Sequence, residues 1–278
     1  MGNTTGLSNA LEYVRIDGHK MHIFRAGNPD KPKLVFLSGS ATAAPMYDFK
    51  VLYEKLFRDY RIIVIEKFGY GYSDLYEGAC DIDSLVERHR QALEQAEEAG
   101  PYVLLPHSMG GLEAIRWSQK YPEEIKAIIG LDMAVPKTYQ SWTGEELERR
   151  ITAMKKMQKL NSRGLLFWYP LNTRSLTKAE IRAQKQLRRR NFMNDCLIRE
   201  AEAVFQNAET AAAGGKISCP VLLFVSDGKQ VSANWIEYVN EFVEETNAAV
   251  IPLDCGHYIH YYESGLIAEK IREFLDRI

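Results

Sequence analysis

The sequence predicts an α/β fold in which one mostly parallel central sheet of about eight strands carries helices on both faces, with a helical segment inserted between two strands. Three observations lead there. Short apolar runs recur along the chain, and they are continuous rather than alternating, as strands buried on both faces require. Stretches with helical apolar spacing separate them. Finally, from about Lys137 to Lys216 the strand-like runs stop altogether.

Taken in order, 12–16 and 20–25 bracket Asp17-Gly18, a two-residue hairpin signal. Residues 33–37, 61–65, 102–105, 127–131, 221–225 and 248–252 read as buried strands, and 45–58, 81–99, 110–121, 232–246 and 262–277 as the helices between them. The interruption reads as a cap: 1–136 and 217–278 form the core, and 137–216 a helical lid. Within it 143–160, 176–196 and 197–213 have helical character, the first opening on Thr143 with Glu146 three residues on, a capping-box start. Residues 137–216 carry 16 Lys and Arg against 8 Asp and Glu, leaving 19 against 29 elsewhere. The Arg188-Arg189-Arg190 run is read either as a solvated helix face or as a cationic rim that attracts anionic substrates.

Composition narrows the classes. The 278 residues are 46% hydrophobic and 26% charged, with a net charge of −2, which excludes a disordered chain and gives no case for nucleic acid. No run approaches the ~20 apolar residues of a membrane span. Residues 1–6 show no basic region followed by an apolar one, so the expectation is a soluble cytoplasmic protein without a secretory leader. Cys80, Cys196, Cys219 and Cys255 are widely spaced with no C-x-x-C pair, which reads as reduced thiols rather than a disulfide framework or a zinc site.

The chemistry centres on Tyr102-Val-Leu-Leu-Pro106-His107-Ser108-Met109-Gly110-Gly111. A buried strand runs into a helix with a serine at the bend and glycines just after it. Such a bend strains the serine backbone and thrusts its hydroxyl over the sheet edge, while the helix N-terminus faces a developing oxyanion. Here the chain resembles the α/β-hydrolase superfamily of serine hydrolases with a helical cap, whose nucleophile elbow reads G-x-S-x-G; Pro106 stands for the first glycine. Leu37-Ser38-Gly39-Ser40 resembles the family's oxyanion loop, so the resemblance implies donors at Ser40 and Met109, with Ser38 in place of the usual histidine. The stretch from Glu66 through Gly69, Gly71 and Ser73 resembles a structural turn of the same family, with Glu66 for its aspartate.

A serine hydroxyl needs a neutral imidazole to take its proton and a carboxylate to hold that imidazole's tautomer. Among six histidines, His257 alone follows the last strand in a Gly-His step; His107 reads as packing beside the nucleophile, and His257-x-x-His260 lacks the helix and further ligands of a metal site. Two acids remain open. Asp132 ends the strand after the elbow helix, and Asp227 lies after the following strand, where most family members place theirs, although the usual frame falls on Lys229. The resemblance implies hydrolysis of a carboxylic ester of a small or medium, apolar substrate, with no metal and no organic cofactor. An aminopeptidase-like amide or carbon–carbon hydrolase and a non-catalytic ligand sensor are the alternatives, the sensor favoured by Pro106 and the displaced acid. Trp142, 165–169 and Phe192-Met193 offer aromatic and apolar surface either to cover a substrate or to glue the cap down.

Overall fold

A computed structural model describes residues 11–166 and 171–278. Its centre is an eight-stranded sheet ordered β1-β2-β4-β3-β5-β6-β7-β8. The strands are β1 (Tyr13–Ile16), β2 (His19–Ala26), β3 (Lys33–Leu37), β4 (Arg61–Glu66), β5 (Tyr102–Ser108), β6 (Ile125–Met133), β7 (Val221–Val225) and β8 (Ala249–Pro252). The β1–β2 hairpin and the β2–β4 pair are antiparallel, and every other pair is parallel. Tyr102 through His107 are buried without interruption, as expected of a strand covered on both faces.

Alternation along these strands sorts the core into two layers. Val35, Leu37, Ile63, Ile65, Leu104 and Leu223 face one side, where α3 (Ile82–Gln95), α4 (Gly110–Lys120) and α10 (Trp235–Thr246) pack. Leu34, Phe36, Ile62, Val64, Leu105 and Phe224 face the other, against α1 (Pro45–Asp48), α2 (Lys50–Tyr53), α11 (Ile259–Tyr262) and α12 (Ser264–Leu275). Between β6 and β7 the chain forms α5 (Pro136–Gln140), α6 (Gly144–Ser162), α7 (Lys178–Asn191), α8 (Asp195–Glu202) and α9 (Val204–Ala213), with no strand among the described residues. Capping boxes start α6, from Thr143 and Glu146, and α7, from Thr177 and Glu180.

Two expected helices are each broken in two. The stretch 45–58 becomes α1 and α2 with Phe49 between them, because burying Phe49 at 5.1 Å from the Phe36 ring bends the chain there. The stretch 197–213 is divided at Ala203, where α8 gives way to α9. No helix among the described residues is long and apolar enough to cross a membrane. All four cysteines are free thiols.

Candidate active site

Ser108 is the last residue of β5, and α4 begins two residues later. Its φ is +50°, a left-handed conformation that costs a serine about 1–2 kcal/mol and persists only where the surroundings impose it. Here the Ala134 amide donates to the Ser108 carbonyl at 2.8 Å, tying the bend to the end of β6. Two glycines allow the close approach. A Cβ on Gly39 would sit 2.6 Å from the Ser108 Cβ, and one on Gly110 would sit 2.8 Å from the Leu37 carbonyl oxygen. Pro106 is accommodated inside β5, in register with Leu37.

The imidazole of His257 lies in the loop after β8, and its Nδ1 is 2.6 Å from Asp132 Oδ2. Because an ionised carboxylate only accepts, this contact makes Nδ1 the protonated nitrogen and leaves the Nε2 lone pair open. Asp132 also has a positive φ, +49°, and its side chain is fully buried. The other oxygen, Oδ1, accepts from the Ser226 amide and from Trp235 Nε1, both at 2.9 Å. Three donors around a buried carboxyl fix its orientation toward the imidazole. Gln230 Oε1 accepts from the His257 amide at 3.2 Å and steadies the loop.

Asp227, the alternative acid, does not reach the imidazole. It points into solvent, where Lys229 Nζ lies 2.9 Å away and the hydrogen bonds from Lys229 hold its carboxyl below the usual range. The ordinary family frame falls on Lys229, which carries no carboxyl, and the turn after β7 donates its Ser226 amide to Asp132.

His107 joins the serine turn to the His257 loop. Its Nε2–H donates to the His257 carbonyl at 3.2 Å, and the two rings lie 4.6 Å apart. Burial, then the neighbouring His257 and His260, push His107 well below the usual histidine range, so it stays a neutral spacer. Among the described residues, no hydrogen bond joins the Ser108 hydroxyl to His257. Such bonds are often long in unliganded enzymes and tighten around substrate. No acceptor among the described residues takes the Ser40 or Met109 amide. His260 is fully buried against Phe49, His107 and Tyr261. No cluster of three potential metal ligands occurs among the described residues.

Residues 32–264 match the family described as alpha/beta hydrolase fold. The chain belongs to that family. The uncharacterized protein YbdG of Bacillus subtilis (strain 168) is 32% identical to this alpha/beta hydrolase over 280 residues, which is 95% of this chain and 85% of that protein. Epoxide hydrolase 1 of Caenorhabditis elegans is 27% identical over 141 residues, 47% of this chain and 33% of that one. Among solved structures, Cfl2 of Burkholderia cenocepacia shares 20% identity at a TM-score of 0.75, covering 95% of each chain. The haloalkane dehalogenase DbeA of Bradyrhizobium elkani USDA94 shares 18% at 0.73, covering 96% of this chain and 97% of DbeA. These similarities establish the fold that the elbow motif predicts.

The remaining motifs fall into supporting roles. Glu66, fully buried, accepts from His22 Nδ1 at 2.9 Å, the Met46 amide at 3.0 Å and the Tyr72 amide at 2.7 Å, so it ties β2, α1 and the loop after β4 together. Next to it Lys67 is buried between Glu113 of α4, at 2.6 Å, and Glu200 of α8, while His89 and Tyr70 complete the network. Burial opposes the charge on Lys67, but the two carboxylates outweigh it and hold the ammonium. The arginine run is split: Arg188 is buried, whereas Arg189 and Arg190 are exposed. Trp142 packs on Tyr139 at 5.0 Å with the Arg150 guanidinium 4.0 Å over its ring, at the edge of the core layer that holds α4. Of the aromatic supply, Phe167, Trp168 and Tyr169 lie outside the described residues.

Proposed function

We propose that this alpha/beta hydrolase is a serine hydrolase that cleaves a carboxylic ester of a small or medium substrate through an acyl-enzyme on Ser108. The observation that carries the reading is the 2.6 Å contact between His257 Nδ1 and a fully buried Asp132, at the sheet end where Ser108 adopts its left-handed bend. Nε2 of His257 takes the Ser108 proton as Oγ attacks the ester carbonyl, and Asp132 stabilises the imidazolium that forms. The amides of Ser40 and Met109 receive the oxyanion. The imidazolium then protonates the leaving alcohol, and the same ring activates the water that releases the acid.

The identity of residue 108 separates this chemistry from dehalogenation and epoxide opening. A serine oxygen attacking a saturated carbon forms an ether, which water does not cleave, so the enzyme would stop after one event. Attack on an acyl carbon forms an ester, which turns over. The helices from 137 to 216 are read as a cap on a core of 1–136 and 217–278. Asn191 Nδ2 donates to the Gly71 carbonyl and Asn194 Nδ2 to the Gly69 carbonyl, both at 2.7 Å, which sets α7 and α8 over the loop after β4.

A fluorophosphonate probe followed by intact-mass and peptide spectrometry tests the reading, together with p-nitrophenyl acetate turnover. A single adduct on Ser108, with both labelling and turnover lost in Ser108→Ala, is the expected result. No adduct and no turnover in the wild-type protein would favour the ligand-sensing alternative.

A further inference from the structure

Beside the proposed site lies a cavity of about 430 Å³, within the range of small-molecule pockets. Its position relative to the chemistry follows from its walls. One wall is the 41–44 segment, which continues directly from Ser40. Another is Tyr258, whose ring lies 5.7 Å from the His257 ring and stacks on Tyr261 at 5.0 Å. The insertion supplies the opposite side, through Asn172, Arg174, Gln184, Arg188 and Phe192.

The insertion wall is cationic. Arg188 is only 8% exposed, and its Nη2 donates to the Leu166 carbonyl at 2.7 Å, which fixes the guanidinium in the wall. Arg174, more exposed, lies 5.1 Å over the Tyr262 ring and donates to the Tyr261 carbonyl, so it too is held in place. Gln184 is 2% exposed, and its Nε2 donates to the Asn172 carbonyl at 3.1 Å; its Oε1 has no partner among the described residues. The carboxyl in the lining is Asp48, bonded by the Tyr261 hydroxyl at 2.7 Å. Burial and then the Glu66 charge push Asp48 up to about 7, which weakens its opposition to an anion near neutrality. A guanidinium taken out of water gains most from a planar anion that accepts two of its N–H bonds.

We propose that this cavity receives a carboxylate at the far end of the substrate's acyl chain, held by Arg174 and Arg188, with Ala41, Ala43, Ala44 and Phe192 lining the path of the chain's methylenes. Gln184 Oε1 accepts from an O–H or N–H that accompanies the anion. The buried member of the arginine run thus becomes a specificity element, and the favoured substrate is an ester of a short dicarboxylic acid.

The inference rests on Ser108 as nucleophile only in its kinetic arm. Compare mono-p-nitrophenyl glutarate with p-nitrophenyl pentanoate, which has the same chain length and no charge. The wild-type enzyme should prefer the glutarate ester by about tenfold or more in kcat/KM, chiefly through KM. In Arg188→Gln, and in Arg174→Gln at the more exposed position where folding is not at stake, that ratio should fall toward one. Equal kcat/KM for the two esters in the wild-type protein, with both hydrolysed, overturns the inference and leaves the nucleophile standing. If neither ester is hydrolysed and Ser108 resists the fluorophosphonate, the nucleophile reading fails instead. Calorimetric titration of the wild-type protein with glutarate then decides the cavity. Saturable binding weakened about tenfold in Arg174→Gln supports it, and absence of binding overturns it.

Discussion

Asp132 shows how far local sequence reaches at the scale of a single residue. Ser108 and His257 are legible because each sits in a short motif whose backbone demands are local: a strand-to-helix bend with glycines, and a Gly-His step after the last strand. The proposed acid is legible only as a choice between Asp132 and Asp227, since the contact to His257 depends on where three distant donors converge. Ser226 N, Trp235 Nε1 and His257 Nδ1 come from three separate segments, and no spacing pattern connects them. Gln230 is missed for the same reason: it holds the His257 amide from a separate segment, across the fold. The consequence is measurable. Asp132→Asn removes the acceptor that sets the imidazole tautomer, so kcat for p-nitrophenyl acetate should drop by about 10³–10⁴-fold. Asp227→Asn breaks only an exposed pair with Lys229 and should stay within about twofold of wild type. The reverse ranking would move the acid to Asp227.

Elements were readable wherever one physical signal dominated. Buried parallel strands are continuous apolar runs, and β3 to β7 appear close to the positions that pattern assigns, whereas the 248–252 run, read as buried, forms β8 at the sheet edge with Ala249 and Val250 exposed. Helix ends at Thr143 and Thr177 carry their own capping chemistry. Breaks at Phe49 and Ala203 were not readable, because helical propensity yields there to tertiary packing. The second break matters most. It lets α8 send Glu200 to Lys67 while α9 lays Val204, Ala208 and Ala211 against the layer that contains α4. Lys67 therefore joins the β4 loop, the elbow helix and the insertion through one buried ammonium. Replacing it by Met leaves Glu113 and Glu200 buried without their cation, and Lys67→Met should cost about 3–5 kcal/mol of stability in urea unfolding. A loss below about 1 kcal/mol would mean that water or His89 already neutralises those carboxylates.

Over the whole molecule, a net charge of −2 conceals a basic insertion on an acidic body, and the cavity between them is where the two fields meet. Asp48 sits at that junction, so global stability should register its titration. Its carboxyl is raised from 3.8 to about 7 in the folded protein, chiefly by burial. The native state therefore holds a proton that the unfolded chain has released, and this group favours folding most below pH ~4. As pH rises from there to about 7 that advantage is lost, and above 7 the native state carries a charge it disfavours. A shift of some three units corresponds to about 4 kcal/mol at full burial, and partial contact with water reduces it to about 2 kcal/mol. Asp48→Asn keeps an acceptor for the Tyr261 hydroxyl and removes the titration. Urea unfolding should therefore find the variant more stable than wild type by about 2 kcal/mol at pH 8, and the difference should shrink toward zero by about pH 4. A pH-independent difference between the two proteins would show that Asp48 titrates as an ordinary surface carboxylate and that the cavity wall is wetter than its geometry implies.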